Sequence, residues 1–488
     1  MPASVLFAKT QSRSNDLALV VSSDSLPIQM SAHNPDMLHA YPSPTVALVR
    51  LEDDSIARNK AVAIEDIPRG TVIFSDLALT TALLPGEKGK RCDFCHTSRT
   101  VNKALYRCTG CTSYWYCDSR CQTLAWKAHH SCLCRTYPRY VASQDYDKLL
   151  VHERVDAVLL SHLIAGHFLS KGRAKDAQHS PQMEIFMSLL PSTSPPSKTL
   201  PVCPPSAISE AQLRNLLSRF GNNNFVLSSH MNPYAHGIFP LASRFFNHSC
   251  VPNAAAKYIM KTGEPVTMAV VALRDIPAGE EVAIPYLDPA LPLEDRQRDL
   301  RTSYGFGCRC ALCTFQEQID IPDGSANSES LIKATRHLHE YTGCDLAHMP
   351  AVLESLRDYS DIPEDLWPFF DRSVIPALSE PFSQASHEGS YDVALRTGHT
   401  LLAVYMLVYP PNYPQTGLHA LEVAKTAWNA FVSQDNNEDE TARRRLLDNL
   451  RWYLAVAREI IEVLGPEGDE GGPWEEIGLL NSLVDEQR

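Results

Sequence analysis

Apolar positions along this chain follow two rhythms, and the change from one to the other divides it. "TVALVRLEDD" and "NKAVAIEDIPRGTVIFSD" carry β-branched runs broken by Pro-Arg-Gly, the pattern of short strands joined by turns. "VTMAVVALRDIPAGEEVAIPY" repeats the device some 200 residues later, so that strand, Asp-Ile-Pro-x-Gly, strand occurs twice. Between them, "YDKLLVHERVDAVLLSHLIAGHFLS" and "MEIFMSLLP" place apolar residues three and four apart, which predicts helices. "LPSTSPPSKTLPVCPPS" reads as an exposed proline-rich loop. From about Ser328 the spacing is helical throughout, in "AVLESLRDYS", "ALRTGHTLLAVYMLVY", "GLHALEVAKTAWNAFVSQ" and "RRRLLDNLRWYLAVAREIIEVLG". These predict a bundle or solenoid of paired helices without a clean repeat. Two β segments around a different middle imply one β domain split in sequence. Residues 1–43, rich in Ser and Pro, read as a loose leader.

Composition narrows the class. The 488 residues, 44% hydrophobic, suffice for more than one core. No run approaches the roughly 18 apolar residues of a membrane helix, and the start lacks a secretory pattern, so neither membrane nor export is expected. The net charge of −13 argues against simple coating of nucleic acid, although Lys88 to Arg139 carries ten Lys or Arg against Asp93 and Asp118. Nucleic acid is therefore the last-ranked partner. The 14 cysteines cluster at metal-type spacings, which predicts a reducing compartment, cytoplasmic and/or nuclear, with zinc.

Cys92-x-x-Cys95, Cys108-x-x-Cys111 and Cys117-x-x-x-Cys121 give six ligands, and "WKAHHSCLC" supplies the rest. Zinc takes four soft ligands in a tetrahedron, so eight predict two structural ions. Residues four apart share a helix face, which favours His130 with Cys134, while His129 and Cys132 stay open as alternatives. Further on, Cys308-x-Cys310-x-x-Cys313 is one ligand short of a third site. Cys250, in "RFFNHSCVPN", can complete it. That tie would pin Asn247 against "YGFGCRC" and form a cleft walled by Tyr304 and Phe306. The glycosylation signature Asn247-His248-Ser249 would require a secreted chain.

The cysteine module resembles the MYND zinc finger. "FFNHSCVPN", "GEEVAIPYLD" and "EDRQRDLRTSYGFGCRCALC" together look like a SET domain with its post-SET zinc triplet. A MYND finger inserted into a SET domain marks the SET and MYND domain family of protein lysine methyltransferases, and the resemblance runs from about Val46 to Phe315. "YPPNYPQTGLHALEVAK" is similar to that family's C-terminal helical domain. The resemblance implies interleaved zinc pairs, Cys92, Cys95, Cys117 and Cys121 on one ion and Cys108, Cys111, His130 and Cys134 on the other. It implies S-adenosylmethionine as cofactor, contacted by Asn59, Asn223, Asn247 and His248 with Phe306 stacked on adenine. Tyr286 would be the catalytic tyrosine with Tyr304 as second wall. One departure is that the family's glycine-flanked first cofactor contact reads "ARNKAVA" here, with Asn59 expected ahead of the first strand.

The expected fold class is α+β: a β-rich SET domain interrupted by a MYND finger and a helical insertion, a post-SET zinc site, then an all-α C-terminal domain. The expected segments are 44–90 and 236–300 for the SET domain, 91–135 for the finger and 136–235 for the helical insertion. Residues 301–316 would be the post-SET segment and 325–488 the helical domain. The expected activity is methylation of a lysine on a histone tail or cytosolic protein. The alternative is an inactive SET scaffold whose finger binds proline-rich partners.

Overall fold

The computed structural model describes residues 48–54, 58–100, 104–169, 180–192, 199–205, 208–320, 328–344, 359–434, 440–469 and 471–487. The leader and most of "AVLESLRDYS" lie outside them. The chain is α+β. Strand β1 (Val49–Asp54) pairs antiparallel with β2 (Arg58–Ala63), from Val49 opposite Ala63 to Asp54 opposite Arg58. Asn59 therefore sits within the second strand, opposite Asp53, rather than before the first one. "VRLEDD" has "RNKAVA" as its hydrogen-bonding partner, and the extended backbone of this strand needs no glycine around Asn59.

The two Asp-Ile-Pro-x-Gly turns meet. Ile67 and Ile276 exchange backbone hydrogen bonds of 2.8 and 2.9 Å. Asp66 accepts from the Ala278 N–H at 2.9 Å, and Asp275 accepts reciprocally from the Arg69 N–H at 2.8 Å. The repeated sequence thus closes on itself as a pseudo-symmetric clasp, each Asp satisfying the turn of its counterpart. From that clasp, β3 (Val72–Leu77) joins β10 (Ala254–Ile259) and β11 (Thr267–Ala272) in the order β10-β11-β3. A second sheet has β4 (Thr80–Leu83), β8 (Asn232–Ile238) and β7 (Asn224–Ser229) in the order β4-β8-β7. The helical insertion consequently stops at the helix Glu210–Phe220, short of residue 235, because "NFVLSS" and "NPYAHGI" find sheet partners.

Between the sheets' sequences lie the finger, with its two-stranded β5 (Tyr106–Arg107) and β6 (Trp115–Tyr116), and the buried helix Val151–His167. Last come β9 (Asn247–His248) and β12 (Ala283–Ile284), paired in parallel. Beyond them the helices Val374–Glu388, Tyr391–Val408, Pro414–Ser433, Glu440–Leu464 and Pro473–Asp485 pack through one apolar core. That core also holds Cys250, Cys308, Cys313 and Leu300, so the helical region is built onto the post-SET segment rather than tethered to it.

A loop between the last two helices returns to the other modules. Arg91, at the head of the finger, forms a two-pronged ion pair with Asp469 at 3.1 and 2.8 Å, and Ser98 adds a hydrogen bond at 3.1 Å. The Arg91 guanidinium also lies 4.4 Å over the ring of Tyr234. Lys257 donates to the Leu464 carbonyl, and the buried Glu467 carboxylate accepts from the His230 N–H. Gly468 (φ +101°) passes the Met260 carbonyl so closely that a Cβ there would lie 2.6 Å from it.

Candidate active site and metal centres

Three groups of ligand atoms converge, each within 4.8 Å of one another: Cys92, Cys95, Cys117 and Cys121; Cys108, Cys111, His130 and Cys134; and Cys250, Cys308, Cys310 and Cys313. The measured edges run from 3.4 Å (His130 Nε2 to Cys108 Sγ) through 3.6 Å (Cys95–Cys117, Cys313–Cys250) to 3.9 Å (Cys250–Cys308). A disulfide would need about 2.05 Å. A tetrahedron with Zn–S bonds of about 2.3 Å has edges of about 3.8 Å, so the donor sets fit three zinc ions held by protein ligands alone.

Local structure accounts for the ligand choice. A π-turn at Trp126–His130 interrupts the helix and rotates His130 into the second cluster, where Cys134 follows with its N–H bonded to the His130 carbonyl at 2.8 Å. Burial, with Lys88 nearby, pushes the His130 imidazole down to about 4, so it is neutral and able to ligate at pH 7. His129 instead stacks on His162 at 4.2 Å, and the Tyr114 hydroxyl meets His162 Nε2 at 2.7 Å. Cys132 is half-buried and outside the clusters.

The third cluster is buttressed by the helix Leu293–Tyr304. Gln297 clamps Cys308 from both sides, donating to its carbonyl at 2.7 Å and accepting from its N–H at 3.1 Å. Arg296, 1% exposed, donates to the Pro289 carbonyl at 3.0 Å and lies 3.7 Å from Cys313 Sγ. Burial opposes its charge, but the Cys250 and Cys313 sulfurs outweigh that and hold the guanidinium above its ordinary value. Four thiolates on Zn²⁺ leave a net charge of about −2, and Arg296 offsets half of it.

Around this knot the expected site residues gather. The amide nitrogen of Asn247 donates to the Asn59 carbonyl at 3.0 Å and to Glu281 Oε1 at 2.8 Å. His248 is a strut: its Nδ1 accepts from the Tyr286 N–H at 2.9 Å, and its Nε2 lies 3.2 Å from Cys250 Sγ. The zinc ligand and the tyrosine are thereby joined through one imidazole. Tyr286 stands 5.4 Å from the His248 ring and 4.9 Å from Tyr304, and Phe306 lies 6.2 Å from both His248 and Tyr304. The Tyr286 hydroxyl donates to the Phe246 carbonyl at 2.6 Å. Burial, then the Glu281 charge, raises the Tyr286 phenol, and burial, then Tyr286, raises that of Tyr304. Both stay protonated at neutral pH.

Asn223 is placed otherwise. Its amide donates to the Arg219 carbonyl at 2.7 Å, closing the end of the helix Glu210–Phe220, and it makes no hydrogen bond to the Asn247 group among the described residues. Asn253 is buried and ties the start of β10 to the segment leading into β12: it donates to Glu280 at 2.9 Å and to the Glu281 carbonyl at 2.8 Å, and accepts from the Ala283 N–H at 2.9 Å. Glu281 was missed. "GEEVAIPY" advertised an acidic turn but not which carboxylate turns inward.

Fold and site together define a β-rich domain closed by a zinc knot, with paired tyrosines beside an Asn-His strand. The family model described as the SET domain matches residues 60–287. The chain is 28% identical over 259 residues to N-lysine methyltransferase SMYD2-B of Xenopus laevis, covering 51% of this chain and 56% of that protein. It is 27% identical over 383 residues to histone-lysine N-methyltransferase SMYD3 of Mus musculus, covering 74% and 84%. To histone-lysine N-methyltransferase ASHR1 of Arabidopsis thaliana it is 26% identical over 282 residues, covering 53% and 54%. The matches thus span little more than half the length of the frog and plant relatives and most of the mouse one. Over residues 60–287 the chain is similar to the SET domain, and over the longer matches it is similar to the SMYD methyltransferases. No helix among the described residues is long and apolar enough to cross a membrane.

Proposed function

We propose that the chain transfers methyl groups to lysine side chains of proteins, with S-adenosylmethionine as donor. The observation that carries this reading is the placement of Tyr286. Its hydroxyl proton is committed to the Phe246 carbonyl, which leaves its oxygen as an acceptor, with the Tyr304 ring beside it at 4.9 Å. The acceptors beside it suit a cationic cofactor, since the Asn247 amide turns its nitrogen to Asn59 and Glu281 and leaves its oxygen, the Glu281 carboxylate adds negative charge, and Phe306 offers an aromatic face. When bound there, S-adenosylmethionine supplies an electrophilic methyl on a sulfonium.

The chain's own residues do the rest. A free lysine ammonium titrates near ~10.4, and the aromatic walls of Tyr286 and Tyr304 desolvate it, which lowers that value. Neither phenol is a base, because both are held above their ordinary range. The amine proton therefore leaves to water before transfer, and Tyr286 Oη accepts an N–H of the neutral amine and holds its lone pair in line. The half-buried rings of Tyr286 and Tyr304 limit the access of competing water.

Substrates are proteins with an accessible lysine, and the relatives' names point to histones and other proteins as the two classes. Exposed Tyr106 and Trp126 on the finger offer aromatic contact for a proline-rich partner there, and nucleic acid ranks behind it. The test is incubation of zinc-replete protein with S-adenosylmethionine and either core histones or a cytosolic extract. Mass spectrometry should find methyl-lysine that the Tyr286→Phe variant fails to produce. Absence of methyl-lysine in both mixtures, or equal yield from the variant, would overturn the reading.

A further inference from the structure

We propose that Glu281 is a positioning residue for the cofactor's amino-acid end: its carboxylate fixes the Asn247 amide so that the pocket is offered the oxygen, not the nitrogen. The proposal rests on the S-adenosylmethionine reading above and adds a residue to it.

A side-chain amide has two donors on one end and an acceptor on the other, and the two orientations have almost the same shape. Neighbours decide between them. Here the nitrogen end faces two groups that can only accept, the Asn59 carbonyl at 3.0 Å and Glu281 Oε1 at 2.8 Å. Turning the amide over would set Oδ1 against both, losing two hydrogen bonds and opposing three oxygens. One of the two acceptors is backbone, so Glu281 is the side chain that sets the orientation.

Glu281 is itself held in place from both sides. Its carbonyl accepts from Asn253 at 2.8 Å, it bridges to Val62 of β2, and its neighbour Val282 donates to the Ala61 carbonyl at 2.8 Å. Asn253 is 3% exposed, so this anchor is buried. The carboxylate projects toward the reaction site, where its charge is felt by the Tyr286 phenol.

With both N–H groups used, Asn247 Oδ1 accepts from none of the described residues. The ligand group that matches an oriented acceptor beside a carboxylate is a cation with N–H donors and no lone pair. In S-adenosylmethionine that group is the α-ammonium. The second carboxylate oxygen of Glu281 adds negative potential at the same place.

The experiment is calorimetric titration of S-adenosylhomocysteine, which keeps the α-amino group, and of the analogue lacking it. The proteins are wild type, Glu281→Ala and Glu281→Gln, each checked for three zincs. Gln retains an acceptor for Asn247, whereas Ala removes it. Loss of the hydrogen bond should weaken S-adenosylhomocysteine binding by about tenfold in Glu281→Ala, with Glu281→Gln within about threefold of wild type. The analogue should bind wild type and Glu281→Ala alike. If Glu281→Ala lowers the unfolding temperature, Glu281→Met, which preserves side-chain length, takes its place with the same expectation. Unchanged binding of S-adenosylhomocysteine by Glu281→Ala, or by Glu281→Met in its place, would overturn the proposal, as would an equal loss for both ligands, since that reports a structural role. Failure of wild type to bind S-adenosylhomocysteine would instead sink the cofactor reading, and this proposal with it.

Discussion

Tyr286 is where geometry and charge give the most definite expectation. Its proton is fixed on Phe246 and its phenol is raised by burial, then by Glu281, which under the proposed function makes it a neutral acceptor for the substrate amine. Tyr286→Phe should lower kcat by about 100-fold or more, with the folded state and zinc content intact, as measured by single-turnover methyl transfer. The sign of the pH dependence follows. With tyrosines that stay protonated, only the substrate amine titrates, and kcat/KM should climb with pH to at least 9 in a stopped assay. A bell with a falling limb below pH 9 would mean a tyrosine is ionising. Asn247, His248 and Tyr286 could be picked out in the sequence because each sits in a short motif of unusual polar density. Glu281 and Asn253 could not, since their positions depend on the segment leading into β12 lying beside β2 while β12 itself pairs with β9, an arrangement of segments far apart along the chain. Asn223, matched by motif, has its amide nitrogen on the Arg219 carbonyl at a helix end.

Among elements, the helix Leu293–Tyr304 decides how well the third zinc knot holds. Gln297 makes both backbone hydrogen bonds to buried Cys308, and its truncation leaves a donor and an acceptor unsatisfied. Gln297→Ala should cost about 2–4 kcal/mol in urea unfolding and should release one zinc to a chelator ahead of the other two. The repeated Asp-Ile-Pro-x-Gly turns were visible in the sequence, and so was the idea of a split β domain. Their mutual clasp was not, because the Asp66 and Asp275 carboxylates each serve a turn more than 200 residues away. The insertion was expected to remain helical to residue 235, and it does not. β7 and β8 have few apolar alternations of their own and owe their form to pairing with each other and, through β8, with β4, a tertiary effect that local spacing does not carry.

For the molecule as a whole, the loop around Glu467 and Asp469 joins the helical region to finger and sheet at once. Burial pushes the Glu467 carboxyl up to about 7, against the His230 N–H and the Lys257 charge, which lower it. A carboxyl raised in the folded state contributes stability below its unfolded value of about 4.5, and loses it as pH rises toward 7. Glu467→Gln keeps an acceptor for His230 and removes the charge. It should therefore stabilise the protein by roughly 2 kcal/mol at pH 8 and by little at pH 4.5, as read from thermal unfolding. The helical character of residues beyond Ser328 was plain from spacing, but the return of their last loop to Arg91 was not, since an ion pair between residues 378 positions apart leaves no local trace. The central claim spans these scales: the zinc held by Cys250, Cys308, Cys310 and Cys313 builds the pocket that Asn247 and Tyr286 line. Titration of zinc-analysed protein with S-adenosylmethionine tests it most directly. The prediction is one binding site in the wild type with three zincs, and no measurable binding in a folded Cys250→Ser variant with two. Tight binding by that two-zinc variant, or none by the three-zinc wild type, would contradict it.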